Sequence, residues 1–160
     1  MAKALYAGSF DPITKGHLDI IERASKVFEE VYVAIMVNPK KQVIFSDVER
    51  KSMIEKCISN FSNVKVLIDY GLAVDLAEKH NIKILIRGIR AISDYEYELQ
   101  QASVNMVLNS KIETAFFISK PEYSFLSSSI TKELAGHNSD LSKFISSEIY
   151  EDVAKKFNNE

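Results

Sequence analysis

Short runs of β-branched and other apolar residues alternate along the chain with segments in which apolar residues recur every three or four positions. Strands are predicted at residues 4–7, 31–37, 64–68, 82–86 and 114–118. Most of these runs are almost continuously apolar, which is typical of parallel strands covered on both faces. The alternation therefore predicts the α/β class, with a doubly wound sheet of five parallel strands followed by C-terminal helices.

Helical spacing marks the segments between and after these strands. Leu18, Ile21 and Ala24 fall on one face of the first such segment. Ser46 followed by Glu49 forms a capping box, in which each side chain satisfies a backbone N–H of the other residue. Helices are predicted at residues 17–28, 46–58, 72–80, 93–109, 127–136 and 139–157. No repeat or linker interrupts the chain, so residues 1–160 are predicted to form one domain.

The loops that follow the strands are the predicted location of function. Right-handed crossovers bring these loops to the carboxyl edge of a parallel sheet, where open α/β folds bind their ligands. The loops comprise residues 8–16, 38–45, 69–71, 87–92 and 119–129.

Composition narrows the classes of function that remain. The chain has 160 residues, of which 46% are hydrophobic and 26% charged, the mixture of an ordinary globular protein. A net charge of −2 offers no basic surplus for a nucleic acid or a membrane surface. No apolar run approaches the roughly 20 residues that span a bilayer, so a cytoplasmic protein is expected. Cys57 is the only cysteine, and no Cys/His spacing suits zinc, so neither an internal disulfide nor a structural zinc site is expected.

The first predicted loop carries a candidate anion site. Gly8 lets a ligand approach the backbone, and Gly16 precedes His17 near the start of a predicted helix. Free N–H groups at a helix N-terminus bind anions, which makes His17 a candidate phosphate contact, although an isolated histidine at this position more often only caps the helix. The chain lacks both G-x-G-x-x-G and G-x-x-x-x-G-K-[ST], which argues against a dinucleotide oxidoreductase and a P-loop enzyme.

Basic residues and serines occupy the other loops. Arg87 and Arg90 follow the fourth predicted strand, where guanidinium groups suit phosphate oxygens. Lys41 follows the second strand and, taken alone, could be either a phosphate contact or a surface residue. Residues 127–129 are serines before a late helix, which could either cap it or bind an anion opposite His17.

Three sets of residues resemble a known family. The run Gly-Ser-Phe-Asp-Pro at 8–12, followed by Thr-Lys-Gly-His at 14–17, resembles the (T/H)xGH signature of the nucleotidyltransferase superfamily. The three serines resemble its second signature. Within that superfamily, residues 86–91, 94–98 and 123–129 are similar in order and content to blocks of the bacterial phosphopantetheine adenylyltransferase family. Ser9, Lys15 and Tyr123 depart mildly from the commonest pattern, and Ser9 and Tyr123 keep the hydroxyl and the aromatic ring.

The resemblance implies a Rossmann-like fold and specific roles for the matching residues. It implies His17 as the catalytic residue, placed against the α-phosphate of ATP. The implied ATP-binding residues are Ser9, Phe10, His17, Gly88, Ile89, Arg90, Glu98, Tyr123, Ser124, Phe125, Leu126, Ser127, Ser128 and Ser129. The implied acceptor-binding residues are Ser9, Lys41, Ala73 and Arg87.

The implied reaction is transfer of AMP from ATP to 4′-phosphopantetheine, with Mg²⁺ carried on the ATP phosphates. The resemblance also implies a homohexamer. Two alternatives remain open at this stage. A related enzyme, such as a nicotinamide mononucleotide adenylyltransferase or a glycerol-phosphate cytidylyltransferase, would share the first and last signatures but should differ at Lys41 and at residues 86–98. A non-catalytic nucleotide-binding module would be expected to lack His17 or the serine loop, both of which are present.

Overall fold

The computed structural model describes residues 2–158 and contains one parallel sheet. Its strands are β1 (Lys3–Gly8), β2 (Glu30–Met36), β3 (Val64–Asp69), β4 (Ile84–Ile89) and β5 (Glu113–Ile118). They are arranged in the order β3-β2-β1-β4-β5, and every neighbouring pair is parallel. The predicted α/β class and the five-stranded Rossmann-like sheet are confirmed.

Helices cover both faces of this sheet. They are α1 (Lys15–Val27), α2 (Asp47–Cys57), α3 (Ala73–Lys79), α4 (Ile92–Leu108), α5 (Ser128–Gly136) and α6 (Tyr150–Asn158). One-turn 3₁₀ helices lie at Pro121–Tyr123 and Ser147–Ile149. The Ser46 and Glu49 capping box opens α2 as predicted. Among residues 2–158, no helix has both the length and the apolar character needed to cross a membrane.

The prediction of one helix over residues 139–157 is wrong. Asn138 adopts a left-handed conformation with φ of 53°, which ends the helical path after α5. The Asp140 carboxylate then accepts bonds from the backbone N–H and the hydroxyl of Ser142. Such local side-chain bonds compete with helix formation. Consequently the chain turns through residues 139–146, and the last helix begins only at Tyr150.

The fourth strand was predicted at residues 82–86 but runs three residues further. Arg87, Gly88 and Ile89 were placed in the following loop, whereas they pair with residues 116–118 of β5. A positive charge and a glycine are unfavourable in a buried strand. Both are accommodated here, because Glu98 pairs with the guanidinium group and the δ-methyl of Ile20 fills the space over Gly88.

The order of the strands creates a crevice between β1 and β4. From β1 the chain proceeds outward to β2 and β3, and it then crosses over to β4 and β5 on the other side. The loops after β1 and β4 therefore leave the carboxyl edge in opposite directions, which is where doubly wound folds bind ligands. Buried apolar side chains from α1, α2, α5 and α6 pack beneath this edge.

Candidate active site

A cavity of about 270 Å³ lies at the carboxyl edge of the sheet, over the ends of β1 and β4. Most residues that the sequence singled out contribute to its wall. These are Ser9, Phe10, His17, Lys41, Arg87, Gly88, Arg90, Glu98, Leu126, Ser127 and Ser128. The sheet edge therefore brings together side chains from four separate loops, as the topology predicts.

Three of the remaining predicted residues lie behind or beside this wall. Ile89 ends β4 and is buried. Ser129 lies in the first turn of α5. Ala73 is the first residue of α3 and packs against a core cluster on the face of the sheet that this helix covers. Their assigned contacts with ligands stay predictions.

The other three form the turn that leads into α5. Tyr123 ends a 3₁₀ turn and lines a different cavity, on the far side of α1. The Ser124 hydroxyl donates to the carbonyl of Pro121 at 2.9 Å. The Phe125 ring packs edge-on against Phe144, with 5.9 Å between centroids. These bonds shape the turn, and the predicted role of the three residues with ATP stays a prediction.

His17 occupies the third position of α1 and is part of its cap. The Thr14 backbone N–H donates to Nδ1 of the ring at 3.0 Å, while the Thr14 hydroxyl accepts from the His17 backbone N–H. The rings of Phe10 and Tyr6 lie 5.1 and 6.3 Å from the imidazole centroid. Desolvation by these neighbours, helped by the charge of Arg90, lowers the pKa of His17 from 6.5 to about 4.

This geometry fixes the tautomer of the imidazole. A backbone N–H can only donate, so Nδ1 must be the unprotonated nitrogen. The neutral ring therefore carries its proton on Nε2, the nitrogen that the cap leaves available to a ligand. The sequence presented capping and ligand contact as alternatives for His17, whereas the structure assigns the first to Nδ1 and leaves Nε2 for the second.

Ser9 and Lys41, both predicted to contact the acceptor, are adjacent. Lys41 Nζ donates to Ser9 Oγ at 2.9 Å, across the gap between the first and second loops. Behind them, the buried Arg50 donates from Nη1 to the Ser9 carbonyl at 2.8 Å. Sequence reasoning missed Arg50, because a charged residue in an amphipathic helix is expected on the solvent side.

Arg87 and Glu98 form a bidentate ion pair at the cavity wall. Arg87 Nε and Nη2 lie 2.5 and 2.8 Å from the two Glu98 carboxylate oxygens, and Nη1 donates to the carbonyl of Ala7. The partly buried guanidinium group thereby ties β4 to both α4 and β1. The two residues were assigned to different substrates from the sequence, and the structure shows that they are direct partners.

Arg90, directly after β4, has a similar arrangement with Asp94 of α4 and the turn before α5. It donates from Nε to Asp94 at 2.9 Å and from Nη1 to the carbonyl of Leu126 at 2.6 Å. Burial opposes ionisation of Asp94, but the hydrogen bonds and charge of the Arg90 guanidinium outweigh it and hold the pKa of the Asp94 carboxyl below its usual range. Asp94 was not predicted as a site residue. The sequence could have indicated it, because Asp94 lies four residues after Arg90 and opposite charges at that spacing near a helix start commonly form an ion pair.

The N-termini of two helices meet at the cavity. Ser127 caps α5 by accepting from the N–H of Ile130 at 3.1 Å, and the Ser128 hydroxyl donates to the carbonyl of Pro12 at 2.8 Å. The second bond holds the start of α5 against the loop that precedes α1. Backbone N–H groups and helix dipoles from both sides favour a polyanion between them.

The chemistry available to the cavity is anion binding. Its two carboxylates, Glu98 and Asp94, are each paired with an arginine. Residues 2–158 contain no cluster of three His, Cys, Asp or Glu side chains that could hold a metal ion. What remains for a ligand is a set of donors, namely the Lys41 ammonium, Nε2 of His17, the helix N-termini and the guanidinium N–H groups of Arg87 and Arg90 that their protein partners do not use.

Comparisons with known proteins agree with this chemistry. Residues 5–134 match the cytidylyltransferase-like family model. A phosphopantetheine adenylyltransferase from Clostridium tetani is 49% identical, with 98% of each chain covered. The enzyme of the same name from Finegoldia magna is 46% identical and covers 98% of this chain and 97% of its own length.

Solved structures with the same fold are more distant in sequence. Two structures of Plasmodium falciparum nicotinic acid mononucleotide adenylyltransferase, one complexed with NaAD and one with APC, align with TM-scores of 0.70 and 0.69. Each is 18% identical to this chain and covers 99% of both chains. At that identity the likeness shows a shared fold.

Proposed function

Because the chain belongs to the phosphopantetheine adenylyltransferase family, we propose that it transfers the adenylyl group of ATP to the phosphate of 4′-phosphopantetheine. The products are dephospho-coenzyme A and pyrophosphate, and the reaction is a step of coenzyme A biosynthesis. The chain is thus a nucleotidyltransferase. The observation that carries the proposal is the near-complete coverage of both chains at 49% identity.

The cavity supports an acceptor that is already an anion. A phosphate nucleophile needs no general base, and the carboxylates of the cavity wall are held by arginines. The protein's task is then to align the two substrates and to stabilise the charge that develops between them. The neutral His17 ring suits this task, because it can donate from Nε2 without first losing or gaining a proton.

The residues divide between the two substrates according to their position. In this mechanism Ser9 and Lys41, from the loops after β1 and β2, hold the acceptor phosphate together with Arg87 of β4, whose guanidinium group bonds to the Ala7 carbonyl of β1. Arg90 and the N-terminus of α5, which are joined by the Arg90 bond to the Leu126 carbonyl, hold the triphosphate. In-line attack at the α-phosphorus increases negative charge on that group, and Nε2 of His17 donates to it in the transition state. Pyrophosphate then leaves on the side of α5.

Magnesium belongs to the substrate in this proposal. Neither carboxylate of the cavity wall is free of an arginine, so the donor set does not resemble a protein cage for Mg²⁺. Mg²⁺ commonly keeps several waters and binds through substrate phosphates, and there it offsets the charge of the triphosphate. The substrate is accordingly Mg·ATP.

The proposal is tested by comparing acceptors. Purified protein with Mg·ATP should release pyrophosphate when 4′-phosphopantetheine is added. Nicotinamide mononucleotide with ATP, and glycerol 3-phosphate with CTP, represent the related nucleotidyltransferases and should give only background release. Turnover of either alternative at a rate comparable to that with 4′-phosphopantetheine would contradict the proposed acceptor.

We further propose a homohexamer in the cytoplasm. Helix α4 has 17 residues, yet Glu98 is its only buried one, and Val107 is 88% exposed. An exposed apolar helix supports self-association. Light scattering should give six times the chain mass of 18.1 kDa. Val107→Glu should lower that mass. The control Val27→Glu, at the exposed end of α1, should leave it unchanged. A monomeric wild-type protein would contradict the proposal.

A further inference from the structure

A partly buried ion pair outside the cavity joins three segments of the site. The Asp11 side chain is only 3% exposed and lies in the loop after β1. Its carboxylate accepts the backbone N–H of Phe45 at 2.9 Å and that of Ile44 at 3.1 Å, both in the second loop. Lys132 Nζ, from α5, lies 2.9 Å from Oδ2 of the same carboxylate. One side chain therefore connects the first loop, the second loop and α5.

Each connected segment carries residues proposed to hold a substrate. Ser9 lies two positions before Asp11, and Lys41 lies three positions before Ile44. Lys132 is one helical turn beyond Ser128, the first residue of α5, which lines the cavity. Asp11 and Lys132 are absent from the cavity wall as described for residues 2–158. They can therefore act on the reaction only through the segments that they join.

The Asp11 carboxylate is held in its charged form. Burial opposes ionisation of Asp11, but the Lys132 ammonium and the N–H groups of Phe45 and Ile44 outweigh it, so its pKa lies below the usual range. Removing one member of a buried pair leaves the other charge uncompensated. Here the loss would be moderated, because the Asp11 carboxylate keeps its two backbone donors when Lys132 is changed.

We propose that Asp11 and Lys132 are a positioning pair that keeps the acceptor-phosphate subsite in line with the nucleotide subsite. The inference rests on the proposed function. Each subsite has contacts of its own that survive loss of the pair: Lys41 with Ser9 on one side, and Arg90 with the Leu126 carbonyl on the other. Loss of the pair should thus disturb the alignment of two occupied subsites more than the affinity of either one.

The test compares turnover with single-ligand binding in Lys132→Met. A displacement on the order of 1 Å between reacting groups can cost about 10²-fold in rate, so kcat should fall by about that factor. The Kd of ATP and that of the acceptor, each measured alone by calorimetry, should stay within about twofold of wild type. Lys132→Arg retains the charge and should recover most of the turnover.

Two further variants sharpen the comparison. Lys56→Met removes a different tertiary ion pair, Lys56 with Asp152 at 2.6 Å, and should leave kcat unchanged. If Asp11 and Lys132 act as one unit, Asp11→Asn combined with Lys132→Met should be no slower than the worse single variant.

Three results would overturn the inference. The first is a wild-type kcat in Lys132→Met, and the second is a kcat loss in the double variant equal to the sum of the two single losses in free energy. The third is a Lys132→Met protein in which both single-ligand affinities and Tm fall and Lys132→Arg does not restore them. All variants are compared on whichever acceptor the wild-type protein uses. An error in the proposed acceptor would therefore appear in the wild-type assay and leave this comparison intact.

Discussion

Two substitutions of His17 separate the functions that its two ring nitrogens perform. His17→Ala removes both the cap acceptor Nδ1 and the donor Nε2. His17→Glu removes the donor but keeps an acceptor for the Thr14 N–H, because Thr-x-x-Glu is an ordinary capping box. The structure makes this a matched pair, since the Thr14 N–H to Nδ1 bond of 3.0 Å is the contact that glutamate can replace.

The expected magnitudes follow from what each nitrogen does. A lost donor to charge that grows only in the transition state costs on the order of 10²-fold to 10³-fold in kcat, or about 3 to 4 kcal/mol. A lost cap costs about 1 kcal/mol of unfolding free energy. His17→Ala should show both losses. His17→Glu should show the loss of turnover with the cap retained, so any loss of stability that remains reflects the cost of a carboxylate beside the Phe10 and Tyr6 rings.

The assay measures kcat, ATP affinity and the urea midpoint on the same preparations. If Nε2 acts mainly in the transition state, ATP affinity should fall far less than kcat in His17→Ala. In His17→Glu the added negative charge repels the ATP phosphates, so its kcat is compared at saturating ATP. The reasoning is refuted if His17→Glu turns over at nearly the wild-type rate, because His17 would then serve only to start α1. Equal losses in kcat and in ATP affinity in His17→Ala would instead mean that His17 holds the nucleotide in its ground state.

Three other predictions concern the same cavity. Lys41→Ala should weaken acceptor binding by about tenfold or more and leave ATP binding unchanged, whereas Arg90→Ala should weaken ATP binding and leave acceptor binding unchanged, since a charged hydrogen bond contributes about 1.5 to 3 kcal/mol. Calorimetry that shows equal losses for both ligands would mean that the two subsites are wrongly assigned. A Cβ on residue 88 would lie 2.5 Å from the Ile20 δ-methyl, so Gly88→Ala should cost about 1 to 3 kcal/mol of stability, and adding Ile20→Val, which lacks that methyl, should recover most of it. Because the pKa of His17 is about 4 in the folded chain and 6.5 in the unfolded chain, the unfolded chain binds the proton first as the pH falls. The unfolding free energy of the wild type should therefore drop relative to that of His17→Gln between pH 6.5 and pH 4, by on the order of 3 kcal/mol at most. Urea melts in which the two proteins lose stability equally over this range would contradict this.

The sequence predicted the type and the bounds of an element well where burial of apolar residues alone determines them. The nearly continuous apolar runs of β1 and β2 are typical of strands covered on both sides, and both were found within one residue of their predicted ends. The predicted bounds are wrong where the secondary structure of a residue depends on a partner side chain elsewhere in the chain. Arg87 could not be recognised as a strand residue, because its strand position depends on Glu98, which lies on a helix eleven residues away.

The same division holds for the candidate site. Topology gathers Ser9, Lys41 and Ser127 at one sheet edge, so their proximity followed from the order of strands and loops. The pair of Asp11 with Lys132 did not follow, because the two residues are 121 positions apart and neither stands in a spacing that marks an ion pair. Predicting it would have required the packing of α5 against the first loop.

The protonation state of His17 connects the local fold to the proposed chemistry. A neutral imidazole in water exchanges its proton between two nitrogens, and only one of the two forms donates from Nε2. The cap of α1 removes that freedom, because the Thr14 N–H occupies Nδ1, and the desolvated ring does not take up a second proton at neutral pH. The bond that begins the helix is therefore the bond that selects the donating form of the ring, so capping and catalysis impose the same geometry on one residue.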